Sequence, residues 1–247
     1  MRYDALSSTQ LHPRLSHGVK KRILAIDVGG SNVKLMISRW EKRKFKSGPD
    51  LTPREMVAQM KPLLQYWRFD AISIGFPAPV RNGRIMSEPK HLGPGWTRFN
   101  FEKSLGKPIR IINDAAMQAL GSFHGGRMLF LGLGTGLGST LIWETNVLPL
   151  ELGDLPYGNG DIIEEYLGKS GMKQLGEKEW KREVLRAVLL LKKSLIADYV
   201  VLGGGSAKKF DRLPNGIELG YNRNAFLGGV RLWQTDPRTR RAKWRIM

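Results

Sequence analysis

Apolar residues fall along this chain in short blocks whose period changes from that of buried strands to that of helices. The first block is residues 22–27, where Ile23, Leu24 and Ile26 form a buried strand that Val28, Gly29 and Gly30 end in a turn. Residues 33–39 read as a returning strand, and the basic stretch 40–48 as a third, solvent-faced one. Thr52, Pro53 and Glu55 mark a helix start: a capping hydroxyl, a proline at the first helical position and the glutamate of a capping box. Val57, Met60, Leu64 and Trp67 give that helix an apolar face, with Pro62 placed to kink or shorten it. Further strands are predicted at 71–75, 109–112, 128–133, 139–144 and 199–202. Further helices are predicted at 115–121, 161–167, 177–195 and 225–233. Residues 1–20 read as a polar tail and 238–247 as a basic stub. Strands and helices are mixed, and hairpin-like strands open the chain, which favours an α/β fold with mixed rather than purely parallel sheets.

Composition adds one unusual fact. Among 247 residues, 40 Lys and Arg face 22 Asp and Glu, a net charge of +18. A surface that basic seeks polyanions. The absence of cysteine excludes a disulfide scaffold, a thiol nucleophile and a cysteine zinc site. His12, His17, His91 and His124 are scattered, so a histidine metal cluster is not expected. No apolar run approaches the roughly 20 residues of a membrane helix, and the beginning of the chain lacks a secretory pattern. A cytoplasmic location with no membrane partner is therefore expected. The basic runs lack the interleaved aromatics of an RNA or DNA module, so no nucleic-acid partner is expected either.

The chemistry gathers in three glycine-rich turns, each after a predicted strand: Asp27 to Lys34, Gly132 to Ser139, and Gly203 to Ser206. Such turns bring backbone N–H groups close to phosphate oxygens. Hydroxyls of Ser31, Thr135 and Ser139 add possible donors, and Asp27 is placed to hold magnesium directly or through water. None of the turns matches GxxxxGK[ST] or a complete GxGxxG. Each alone is also readable as a plain tight turn. Asn113-Asp114, just past a strand, suits a catalytic carboxylate and equally a helix cap. By residue type alone, Glu151 is an even choice between a ligand and a surface residue, and Glu164 reads as a solvated first-turn helix residue.

Taken together, DVGGSNVK, IGFPAPV, INDAAMQALG, LGLGTGLGSTLI, ELGD and VVLGGGSAKK resemble, in order and spacing, the ROK family of actin-like sugar kinases. The resemblance runs from about Lys21 to Trp233 and is nearest to short bacterial glucokinases, including those using polyphosphate. It implies a two-lobed actin-like (ribonuclease H-like) α/β fold with an interlobe cleft, and commonly a homodimer. The implied layout is a tail at 1–20, a small lobe at 21–114, a large lobe at 115–224, a helix at 225–236 packing back on the small lobe, and a basic tail at 237–247.

By the same resemblance, Asp27, Gly29, Gly30, Ser31 and Lys34 form the first phosphate loop. Gly134, Thr135 and Gly136 form the second, and Gly203, Gly204 and Gly205 the adenosine-side turn. Asp114 is the implied base, with Asn113, Asp114, Glu151, Asp154 and Glu164 around the sugar. The implied reaction transfers a phosphoryl group from ATP or polyphosphate, with Mg2+, to the 6-hydroxyl of glucose or mannose. Asp154 stands where the family usually has a histidine, and the cysteine-rich zinc loop is missing, so no zinc is expected. That extra carboxylate keeps open a second reading, a weak or inactive polyphosphate-binding regulatory protein. Arg39, Lys42, Arg43, Lys44 and Lys46 are candidate contacts for a long anionic donor.

Overall fold

The computed structural model describes residues 21–158, 160–221 and 223–247. The expected tail at 1–20 lies outside them. The chain opens with β1 (Ile23–Val28), β2 (Asn32–Met36) and β3 (Lys42–Lys46), followed by α1 (Pro53–Leu64) and β4 (Ala71–Phe76). A short hairpin, β5 (Val80–Arg81) and β6 (Arg84–Ile85), precedes α2 (Phe101–Leu105), β7 (Ile109–Asn113) and α3 (Asp114–Ser122). Then come β8 (Arg127–Leu133), β9 (Leu137–Trp143), β10 (Asn146–Leu150), β11 (Pro156–Tyr157), β12 (Asp161–Ile162) and α4 (Ile163–Leu167). The last elements are α5 (Lys169–Ser194), β13 (Tyr199–Gly203), β14 (Ile217–Leu219), α6 (Asn224–Arg231) and β15 (Arg245–Ile246).

Two mixed sheets organise these elements, in the orders β3-β2-β1-β4-β7 and β14-β13-β8-β9-β10-β15. The outer face of the first carries Leu24, Ile26, Val28, Val33 and Leu35 against Met56, Val57 and Met60 of α1. The outer face of the second carries Leu129, Leu131, Val200 and Leu202 against Trp180, Val184 and Val188 of α5. Between the sheets lie α3 and α6. There Ala25, Met36 and Ile112 share one core with Met117, Leu120, Met128, Phe130 and Val201. Backbones touch where α3 crosses α6: a side chain on Gly121 would strike the Asn224 carbonyl, and one on Gly228 the Met117 carbonyl. Small residues at this crossing let one helix pair fill the whole gap between the sheets. Gly229 then lies on Ala25 and Ser73, and Ser73 Oγ donates to its carbonyl at 2.7 Å.

The α1 start is as its sequence reads. Thr52 Oγ1 accepts the Glu55 N–H, and Glu55 accepts the Thr52 N–H at 2.8 Å. Pro62 does not stop the helix before Leu64; it sits exposed in the last turn, where its lost hydrogen bond would face water. The helix expected at 177–195 is present, starting just after a break at Gly176 (φ 75°) and ending at Ser194, with a further helical stretch from Lys169 ahead of the break. Three expectations are corrected. The returning strand ends at Met36, because Ile37 to Glu41 close a turn. Asp161 and Ile162 are strand rather than helix, pairing with Pro156 and Tyr157. The C-terminal stub is folded: Arg245 and Ile246 extend the second sheet beside β10, and Trp244 is buried edge-on to Phe123. Among the described residues, no helix is long and apolar enough to cross a membrane.

Candidate active site

The first glycine turn is closed by the Gly29 N–H donating to the Asn32 carbonyl at 3.1 Å. That closure puts Asp27 opposite Lys34 in the β1–β2 ladder, so both side chains share a face. Lys34 Nζ bonds Asp27 Oδ2 at 2.7 Å. The Asp27 side chain is 6% exposed and that of Lys34 42%, so the pair runs from the sheet interior to solvent. The same row continues outward to Lys44, opposite Lys34, and inward to Gly75, opposite Asp27. Lys42 and Lys46 flank Lys44 on that face, all three exposed. Ser31 is exposed beside Gly30, and a side chain on Gly30 would stand 3.2 Å from His91 Cβ.

Gly75 is where α3 comes down on the sheet. A Cβ there would lie 3.2 Å from Asp114 Cα and 2.6 Å from Met117 Cε. Asn113 caps α3, its Oδ1 accepting the Ala116 N–H at 3.1 Å, which leaves its amide NH2 to donate elsewhere. Asp114 Oδ1 accepts the Ala115 N–H at 2.8 Å. Burial and the negative charge of Asp27 push the Asp114 carboxyl up to about 7, against the opposing pull of the Ala115 N–H and Lys34. A carboxyl half ionised near neutrality is suited to take up a proton.

The second turn folds on itself, with Gly134 N–H donating to the Gly136 carbonyl at 3.0 Å. Glu164 lies beneath it: its Oε2 accepts the Leu137 N–H at 3.0 Å, and a side chain on Gly136 would collide with that carboxylate. Gly138 rests on Ala115, which ties this turn to the start of α3. Thr135 is exposed. Ser139 is not available to a ligand. It is buried, donates to the Leu150 carbonyl at 2.7 Å and accepts the Leu152 N–H, so its hydroxyl is spent joining β9 to the 151–154 turn. The third turn leans on the second: Gly204, at φ 81°, leaves no room for a side chain against the Leu133 carbonyl. Gly203 packs on Phe130, and Gly205 is open to solvent.

Glu151 and Asp154 bracket a short 3-10 turn, with Asp154 N–H donating to the Glu151 carbonyl at 3.2 Å. Burial raises the Glu151 carboxyl above its usual range, helped by Asp154 and Glu164 and opposed by Lys90. The structure therefore forms two acidic groups, Asp27–Asp114 with Lys34 and Glu151–Asp154–Glu164 with Lys90, joined through the Ala115–Gly138 contact. Lys90 and His91 are site residues that sequence reading missed. They sit in the loop after β6, which Glu88 ties down by accepting the Trp96 N–H and the Thr97 hydroxyl. The only signal for them was a stretch rich in Pro and Gly with charged residues, Glu88 to Gly95.

Among the described residues, no cluster of three or more His, Cys, Asp or Glu could cage a metal. The donor set does fit magnesium held by one or two carboxylates, water and phosphate oxygens. Asp27 keeps Oδ1 clear of the Lys34 contact, and Asp114 stands beside it.

The arrangement of two sheets with α3 and α6 between them is shared with solved structures of ROK family proteins. The Arthrobacter sp. strain KM inorganic polyphosphate/ATP-glucomannokinase shares it with a TM-score of 0.72 and 21% identity over 84% of this chain and 96% of that one. A Streptomyces griseus ROK family glucokinase solved with glucose and AMPPNP gives 0.63 and 15% over 83% and 97%. A ROK family transcriptional regulator gives 0.68 and 14% over 86% and 77%, so the fold alone does not settle function. In sequence the chain is similar to bacterial polyphosphate glucokinases. That of Mycobacterium tuberculosis is 24% identical over 212 residues, 76% of this chain and 78% of its own. That of Mycobacterium leprae is 23% identical over 217 residues, 78% and 66%. No protein-family profile matches the chain.

Proposed function

We propose that the chain is a hexose kinase that transfers a phosphoryl group from polyphosphate or ATP to the 6-hydroxyl of glucose or mannose. The observation that carries this reading is the half-buried Asp114 carboxyl, set over Gly75 beside the Asp27–Lys34 pair and pushed up to about 7. In the step, the sugar oxygen forms a bond to phosphorus as the donor's bridging P–O bond breaks. The hydroxyl proton passes to the Asp114 carboxylate, and the shortened polyphosphate or ADP leaves with the bridging oxygen. Magnesium, held by Asp27 alone or with Asp114, supplies charge neutralisation at the phosphate oxygens when bound.

Lys34 and the glycine turns at Gly29–Gly30 and Gly134–Gly136 hold the donor in this reading, with the Gly203–Gly205 turn on its far side if ATP is used. The exposed row Lys34–Lys44, flanked by Lys42 and Lys46, favours a donor longer than a nucleotide. The Asn113 amide, Glu151 and Asp154 are the proposed sugar contacts. Glu164 serves the sugar while fixing the second turn through the Leu137 N–H. The homodimer belongs to the same reading, and exposed Leu189 and Leu190 on α5 are the apolar surface that would serve it. The test is Asp114→Asn in a coupled assay of hexose 6-phosphate. The proposal requires turnover to fall by roughly a hundredfold or more while the donor still binds; retained turnover would overturn it.

A further inference from the structure

At the end of the first sheet opposite Asp27, about 13 Å along β1, lies a groove of about 560 Å³. Its floor is apolar, from Ile23, Ile37, Phe226 and Val230, and its rim carries Lys21, Arg22, Arg39 and Arg68. A neighbouring cavity of about 410 Å³ shares Arg22, Trp67 and Arg68 and adds Lys107. Two acids also line this surface, Glu41 and Asp70, and Asp70 accepts the Arg22 backbone N–H at 2.8 Å. Among the described residues, none of the five cations makes an ion pair. Five cations against two acids leave this surface net positive.

Exposed aromatic residues belong to the segments that form this rim. Tyr66 lines the groove and is 80% exposed. Trp40 is 79% exposed, in the turn that the Ile37 N–H closes on the Glu41 carbonyl, between two groove residues. Trp67 is already covered by the Arg43 guanidinium at 4.7 Å, so open ring faces come from Tyr66 and Trp40. Rings this exposed contribute little to folding, yet each offers a flat face to a base. In the linear sequence Trp40 and Tyr66 stand apart; the β2–β3 turn and the end of α1 both contribute residues to this groove.

We propose that this groove binds single-stranded nucleic acid, its bases stacking on Tyr66 and Trp40 and its phosphates on Arg39, Arg68, Lys21 and Lys107. Stacking platforms beside a basic track are how single strands are held without sequence readout. Polyphosphate would use the cations alone, so the rings separate the two ligands.

The test is a fluorescence anisotropy titration of the full chain with fluorescein-labelled U12 and dT12, with polyphosphate of matched charge as unlabelled competitor. The native chain should bind the oligonucleotides with a log–log salt slope of about −2 to −3, as three or four phosphate contacts require. Trp40→Ala with Tyr66→Ala should weaken oligonucleotide binding by roughly tenfold or more, leaving competition by polyphosphate and hexose phosphorylation unchanged. Both rings are exposed, so the variant keeps its fold. Arg39→Gln with Arg68→Gln should weaken both ligands. Unchanged oligonucleotide affinity in the aromatic variant would overturn the proposal and leave a general polyanion patch, as would absence of binding by the native chain at physiological salt.

Discussion

The α-carbon of Asp114 occupies the space that a side chain on Gly75 would need, 3.2 Å from where its Cβ would stand. The opposite position to Gly75 in β1 is Asp27. One glycine in a central strand thus seats the first turn of α3 on the sheet and sets two carboxylates together. The like charge, with burial, is what lifts Asp114 to about 7.

That origin predicts the pH profile. If Asp114 must be ionised to accept the sugar proton, kcat/KM should rise with pH through an acid limb near 7. Lys34 holds the Asp114 value down and Asp27 holds it up. Lys34→Met should therefore move the limb to higher pH, and Asp27→Asn to lower pH, whatever each does to the maximal rate. Limbs that coincide in all three proteins would show that another group titrates.

The same shift bears on stability. Asp114 has a folded value above its usual 3.8, so the stability it contributes is present below about pH 4 and is lost as pH rises to about 7. Asn at this position keeps an oxygen for the Ala115 N–H and carries no charge. Asp114→Asn should thus gain stability over the native protein between pH 4 and 7, levelling above, by on the order of 1–3 kcal/mol. Urea unfolding at pH 4.5 and 8 checks this; an equal difference at both values would contradict it.

Glu164 separates two roles by substitution. Glu164→Gln keeps an acceptor for the Leu137 N–H, while Glu164→Ala leaves that N–H unpaired beneath the second turn. The alanine variant should lose about 1–3 kcal/mol of stability and show a raised KM for the phosphoryl donor. The glutamine variant should keep donor KM and raise only that for sugar. Equal donor KM in both variants would place Glu164 outside the donor loop's support.

The basic edge strand gives a donor-specific expectation. Lys44→Gln should raise KM for long polyphosphate roughly two- to fivefold, as one exposed charge pair allows, and leave KM for ATP unchanged. Salt screens exposed charges, so the difference should vanish near 1 M ionic strength. An identical effect on both donors would remove the lysine row from the polyphosphate path.

Much of this site was legible because its parts are local. The turn after Asp27, the cap at Asn113 and the glycine run at 132–138 each declare themselves within a few residues. Legibility ended where partners are distant. Ser139 reads as a phosphate donor, and only its position against Leu150 and Leu152 shows the hydroxyl spent. Lys90 and His91 have no periodic pattern, and their place follows from Glu88 tethering their loop. The C-terminal run reads as a solvated basic stub because its charges outnumber Trp244 and Ile246, the two side chains that pack inward. Asp161 sits at the end of a helical pattern, yet pairing with Tyr157 takes it into a hairpin.

The most direct measurement is hexose 6-phosphate formation with magnesium, giving ATP and polyphosphate separately, by the native protein and Asp114→Asn. The account predicts turnover with polyphosphate on glucose or mannose that is lost in the variant, while the variant stays folded and still binds donor. Turnover that survives in Asp114→Asn, or its absence from the folded native protein with both donors and both sugars, would contradict it.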